Sequence, residues 1–135
     1  MTCGKGVIAI RRTHKWGLQP GAWDGGSPTA IKWRLKLKPD LRRLVERKRC
    51  IVPCTGYYEW HRNTKDPFHI RVQSSDLFGL AAIYDTGESP AGPVSTYSIL
   101  TCEPNFALSA LHNRMPVILK PADYDLYLDP CRAQL

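Results

Sequence analysis

Two short stretches hold the residues that could do chemistry. Residues 49–60 read Arg-Cys-Ile-Val-Pro-Cys-Thr-Gly-Tyr-Tyr-Glu-Trp and set Glu59 among three aromatics. A carboxylate there is costly to desolvate unless it is paired or kept protonated. Such an environment suits proton transfer near neutral pH. Taken alone, the stretch fits equally a Glu on the solvent face of a half-buried strand. Residues 111–117 read Leu-His-Asn-Arg-Met-Pro-Val and add a titratable His112, a polar Asn113 and a cationic Arg114, closed by Pro116. If the two stretches face each other, a glutamate opposes an imidazole across a cationic groove.

The positions of these groups depend on the elements around them. Residues 49–53 are apolar and β-branched, the composition of a buried strand. Pro53 and Gly56 predict a bend over 54–56, followed by a second strand over 57–60. Further strands are expected at 7–11, 68–73, 77–84, 95–102 and 115–119. The run 77–84 is apolar almost throughout and should be central. Residues 31–37 alternate apolar and basic, a strand with one cationic face. Residues 39–48 should be a helix, with Asp40 as a possible N-cap and Leu41, Leu44 and Val45 on one face. Short helices are expected at 104–111 and 121–128. Residues 19–28 and 85–93 read as loops, and 74–76 as a hairpin-like link between strands. The fold class that follows is α+β. A mixed or antiparallel sheet, curled toward a barrel, carries short flanking helices. The 135 residues suit one domain with its own core.

The net charge is +7, and it is concentrated. Nine Lys or Arg lie between Lys32 and Arg49, against Asp40 and Glu46. A patch of this kind attracts polyanions, nucleic acid first, or simply aids solubility. Trp16, Trp23 and Trp33 nearby favour nucleic acid, because bases stack on aromatics. No apolar run reaches a membrane span and no secretory leader opens the chain, so a cytoplasmic protein is expected. Five cysteines without framework spacing fit a reducing compartment. Cys50 and Cys54 could suggest zinc, but without a second tight pair they read as small apolar residues. No metal and no cofactor are expected.

Taken together, the two chemical stretches resemble the SRAP family, the SOS-response-associated peptidases. The family carries Arg-Cys-(apolar)-(apolar)-Pro-x-x-Gly-(aromatic)-Tyr-Glu-Trp and, farther on, His-Asp-Arg-Met-Pro. Between them comes a strand like Ile99-Leu100-Thr101, then Glu103 and Asn105. Lys15-Trp16-Gly17-Leu18-Gln19-Pro20 resembles the family's Arg-Trp-Gly-Leu-x-Pro. Residues 31–36 can be laid on its Asn-Ala-Arg-x-Glu-Thr, with Arg34 as the arginine, Lys32 in place of the Asn and Lys36 in place of the Glu.

The resemblance implies an SRAP-like fold, incomplete at both ends relative to the family. It implies a protein of the DNA damage response that binds single-stranded DNA and captures abasic sites covalently, with an autoproteolytic peptidase activity. The partner would be single-stranded DNA holding abasic sites. The protein would be a monomer, nucleoid-associated in a bacterium and nuclear in a eukaryote. An N-terminal cysteine would form an imine with the opened sugar's aldehyde, and its thiolate would close a thiazolidine. Glu59 would shuttle protons, His112 would protonate or orient the sugar oxygen, and Arg114 would contact phosphate. Trp16 and Arg34 would help bind DNA, although Trp16 is equally readable as a core aromatic. Cys3-Gly4-Lys5 resembles the family's Cys-Gly-Arg, one residue late. Two readings stay open: further cleavage before Cys3 exposes its amine, or the chain is a catalytically inactive nucleic-acid-binding remnant.

Overall fold

The computed structural model describes residues 15–16, 30–32, 39–73 and 75–131. The expected strand at 7–11, the loop at 19–28 and most of the alternating run at 31–37 lie outside them. Among the described residues the chain is α+β. A seven-stranded mixed sheet is built on one long hairpin, β6 (Phe78–Ser89) and β7 (Gly92–Cys102). On one side β6 pairs antiparallel with β3 (Arg49–Cys54), from Arg49↔Ile83 to Cys54↔Phe78. On the far side β7 pairs parallel with β1 (Lys15–Trp16) and β2 (Ala30–Lys32). A separate two-stranded ribbon joins β4 (Tyr57–Trp60) to β5 (Pro67–Ile70). Among the described residues the sheet does not close into a barrel, which is compatible with the open, curled sheet expected from sequence.

Between β6 and β7 the hairpin splays, and the segment after His112 fills the gap. Its first strand, β8 (Met115–Pro116), pairs with β7, and its second, β9 (Ile118–Leu119), pairs with β6. Val117 bridges the two. It donates to Leu100 O and accepts from Ala81 N–H, each at 2.9 Å. The Pro at 116 is tolerated here because the insert is short and needs few of its own donors.

Side-chain alternation divides the sheet's two faces. Ala81, Ile83 and Leu100 face helix α1 (Pro39–Arg47) and helix α3 (Tyr124–Leu128), packing on Leu44, Val45 and Tyr127. Phe78, Leu80 and Ile99 face the other way, toward Val52, Cys54, Tyr57 and Tyr97. The core of β6 is buried on both faces, as its near-continuous apolar run requires.

Three expectations are corrected. Residues 74–76 do not link a hairpin, because β5 pairs with β4 and β6 with β3 and β7. Residues 85–93 are not an open loop. The ladder continues from Asp85↔Thr96 to Ser89↔Gly92, so polar residues of both strands extend as a half-exposed arm around a tight Pro90–Ala91 turn. Gly92 closes that turn at φ +104°, a conformation side chains other than Gly resist. Asp40 lies inside α1 and not at its N-cap, since the helix already starts at Pro39.

The basic run also changes meaning. Arg49 is buried. It donates through Nε to Tyr127 O, through Nη1 to Val45 O and Glu46 O (both 2.8 Å), and through Nη2 to Asp129 O. Its guanidinium also sits 5.8 Å from the centroid of the Tyr127 ring. Lys48 pairs at 2.5 Å with the largely buried Asp85. These two cations serve the fold. Arg42, Arg43 and Arg47 are exposed on α1, across the sheet from the Leu80–Ile99 face. No helix among the described residues is long and apolar enough to cross a membrane.

Candidate active site

A cleft of about 300 Å³ opens on the face away from the helices. Val52, Leu80 and Ile99 give it an apolar floor, Tyr57 and Glu59 of β4 form one wall, and His112, Arg114 and Met115 form the other. Glu59, His112 and Arg114 therefore line one cavity. The side chains of Cys3 and Arg34 lie outside the described residues. So does that of Trp16, whose backbone pairs with Tyr97 on β7.

Strand alternation sets Glu59. Tyr57 and Glu59 are half-buried, whereas Tyr58 and Trp60 point outward at 63% and 53% exposure. Glu59 is thus not enclosed by three aromatics, because the period of two sends its immediate neighbours to the opposite face. Its Oε1 accepts the Trp60 N–H at 3.2 Å. The ribbon depends on Gly56. A Cβ there would meet His69 Nε2 at 2.4 Å and Ile70 O at 2.9 Å, so only glycine lets β5 lie this close. His69 in turn stacks on Tyr58, ring centroids 4.8 Å apart. This gives His69 a packing role. His61 likewise accepts the Asn63 and Thr64 N–H groups through Nδ1 and closes the turn after β4.

His112 is delivered by a short helix, α2 (Phe106–Ser109). Asn105 caps it, accepting the Leu108 N–H at 3.0 Å, and the Asn105 N–H meets Met115 Sδ at 3.3 Å. The two walls are tied by one backbone bond, Arg62 N–H to Leu111 O at 2.9 Å. That bond fixes the strand of Glu59 against the loop of His112. Within the loop, His112 Nδ1 lies 3.3 Å from both the N–H and the O of Arg114. Backbone thus occupies Nδ1, and Nε2 is the nitrogen left for a ligand. Arg114 is held to the sheet by a bond from Nη2 to Thr101 Oγ1.

Sequence reasoning missed two groups at this site. Cys54, read as a buried apolar residue, lines the cleft as a free thiol. Burial pushes its pKa up, and the Gly56 backbone partly offsets that. Tyr57, read only as an aromatic, borders the cleft and carries a buried hydroxyl. Burial and then the Glu59 charge push its pKa up to about 12, so the phenol stays protonated at neutral pH. The alternation in 57–60 already placed Tyr57 on the Glu59 face.

The arrangement defines an α+β protein with a carboxylate, an imidazole and a guanidinium around one cleft, suited to acid–base work on a polar substrate. The chain belongs to the family described as SOS response associated peptidase (SRAP), whose model matches residues 7–135. It is 36% identical over 126 residues to abasic site processing protein YoqW of Bacillus subtilis, covering 86% of this chain and 56% of that one. It is 28% identical over 136 residues to abasic site processing protein HMCES of Gallus gallus, covering 78% of this chain and 40% of that one. Among solved structures, a Bacteroides thetaiotaomicron protein superposes with a TM-score of 0.75 at 29% identity, covering 87% of this chain and 57% of that one. The chain spans about half the length of the curated relatives it matches.

Proposed function

We propose that this chain processes abasic sites in single-stranded DNA as part of the DNA damage response. The reading is carried by one observation: Glu59, His112 and Arg114 open into a single cleft in a chain whose relatives are named abasic site processing proteins. The substrate is the aldehyde of a ring-opened abasic sugar. An N-terminal amine condenses with it, losing water to give an imine. The neighbouring thiolate adds to the imine carbon, the nitrogen takes a proton, and a thiazolidine closes. Glu59 moves protons in both steps, His112 Nε2 serves the sugar oxygen, and Arg114 meets phosphate. Cys3 is the cysteine that processing of the N-terminus would recruit, and the same Glu59 and His112 serve that cleavage. Trp16 and Arg34 extend the DNA surface, and the protein works as a monomer.

The test is a denaturing gel of the purified protein with single-stranded DNA holding one abasic site. A heat-stable shifted band that vanishes on Cys3→Ala is the expected result. Salt-sensitive binding to intact single strands without such a band would instead mean a non-catalytic nucleic-acid binder. Intact mass would show which residue begins the mature chain.

A further inference from the structure

Helix α2 has four residues and buries none of them, and Phe106 at its start is 98% exposed. A helix this short is not stable by length, and no packing holds it, so its end bonds must. Asn105 supplies them. Its Oδ1 accepts the Leu108 N–H at 3.0 Å, and its carbonyl accepts the Ser109 N–H, also at 3.0 Å. Leu108 O in turn accepts the Leu111 and His112 N–H groups, each at 3.0 Å. Hydrogen bonds therefore join the exposed side chain of Asn105 to the backbone of His112 through the peptide groups of Leu108. Arg114 is held another way, by Thr101 of β7, and the Met115 that follows pairs with Cys102.

We propose that Asn105 is a positioning residue for His112, whose side-chain cap sets the direction in which the imidazole enters the cleft. Asn105 does not line the cleft itself, so it acts through the backbone. The ring has little else to orient it. Its two Nδ1 contacts, to the N–H and the O of Arg114, are long at 3.3 Å, so the ring follows its own backbone. Without the cap α2 frays, Leu108 O turns away, and the His112 N–H loses its acceptor. Leu111 stays in place, because it is buried and its carbonyl meets Arg62. The loop therefore remains on its wall while the residue after Leu111 is released. Arg114 keeps its tie to Thr101, so a phosphate contact survives and only the proton-handling group is misplaced. The consequence is a slower reaction with unchanged binding. This role rests on the abasic-site reading above.

The test is a series at position 105, read as the rate of covalent capture of a single-stranded aldehydic abasic site at saturating DNA. Binding is read separately on a strand holding a tetrahydrofuran site, which has no aldehyde to capture. Asn105→Ala removes the cap and is expected to slow capture about tenfold, with tetrahydrofuran binding unchanged. Asn105→Asp keeps a capping oxygen and should restore the wild-type rate, and Asn105→Thr, a weaker cap, should fall between. If the Ala variant does not fold, the Asp and Thr variants still order the rates by capping strength. In a His112→Ala background the same substitutions should change the rate little, because the group they orient is gone. Wild-type rates throughout the series would overturn the role. So would a loss of binding as large as the loss of rate, or an equal loss with His112 absent, since either would mean that Asn105 serves only the fold. Wild type that captures no aldehydic site would overturn the abasic-site reading and this role with it.

Discussion

Arg49 keeps its charge in the interior by giving its donors to backbone carbonyls of the α1 and α3 ends. A planar fork can satisfy four acceptors at once, and an ammonium cannot. Arg49→Lys should therefore cost about 2–4 kcal/mol in chemical denaturation, since several bonds to a charged group go together. A loss below about 0.5 kcal/mol would contradict the clamp. Sequence alone could not separate this arginine from the exposed Arg47 two residues earlier, because the distinction lies in contacts with residues 127 and 129, nearly eighty positions away. Glu59 was easier to read. Its type and its alternation with Tyr58 and Trp60 were both visible, whereas its proximity to His112 depended on the tertiary fold.

At the scale of elements, the β4–β5 ribbon positions Glu59, and Gly56 permits the ribbon. Gly56→Ala should force β5 and His69 aside, costing about 1–3 kcal/mol. Capture of the aldehydic site should fall with it, because the wall carrying Glu59 moves. A variant that keeps both its thermal midpoint and its capture rate would show that β5 yields without consequence. The ribbon strands, α1 and the burial of β6 followed from periodicity and local chemistry. The splayed hairpin did not. Residues 115–119 read as one strand, but they divide between two partners because β6 and β7 diverge around Val117. Nor did the polar arm at 85–96 announce itself, since cross-strand pairing there outweighs a composition rich in turn formers.

For the whole molecule, the sheet separates two surfaces. The exposed arginines of α1 lie on the helical face and the cleft on the other, so Arg42, Arg43 and Arg47 do not border it; the side chains of Lys32, Arg34, Lys36 and Lys38 lie outside the described residues. The interior also sets a limit at high pH. Burial raises the Cys50 thiol from 9.0 to about 12 and the Tyr57 phenol from 10.0 to about 12, and raises Tyr127 as well. In the unfolded chain these groups ionise earlier. The folded state therefore holds more protons above pH 9, and stability is expected to be full below that value and to fall as pH rises toward 12. Thermal midpoints from pH 7 to 11 check this, and Cys50→Ala should delay the onset of the decline. A midpoint that stays flat to pH 11 would contradict it.

The central claim is that Glu59 and His112 act on one substrate in one cleft. A double-mutant cycle on the rate of abasic-site capture, using Glu59→Gln, His112→Ala and the pair together, tests it most directly. Residues that work as a unit give a double variant little slower than the worse single one. Single variants without effect, or losses that simply multiply, would contradict the shared site.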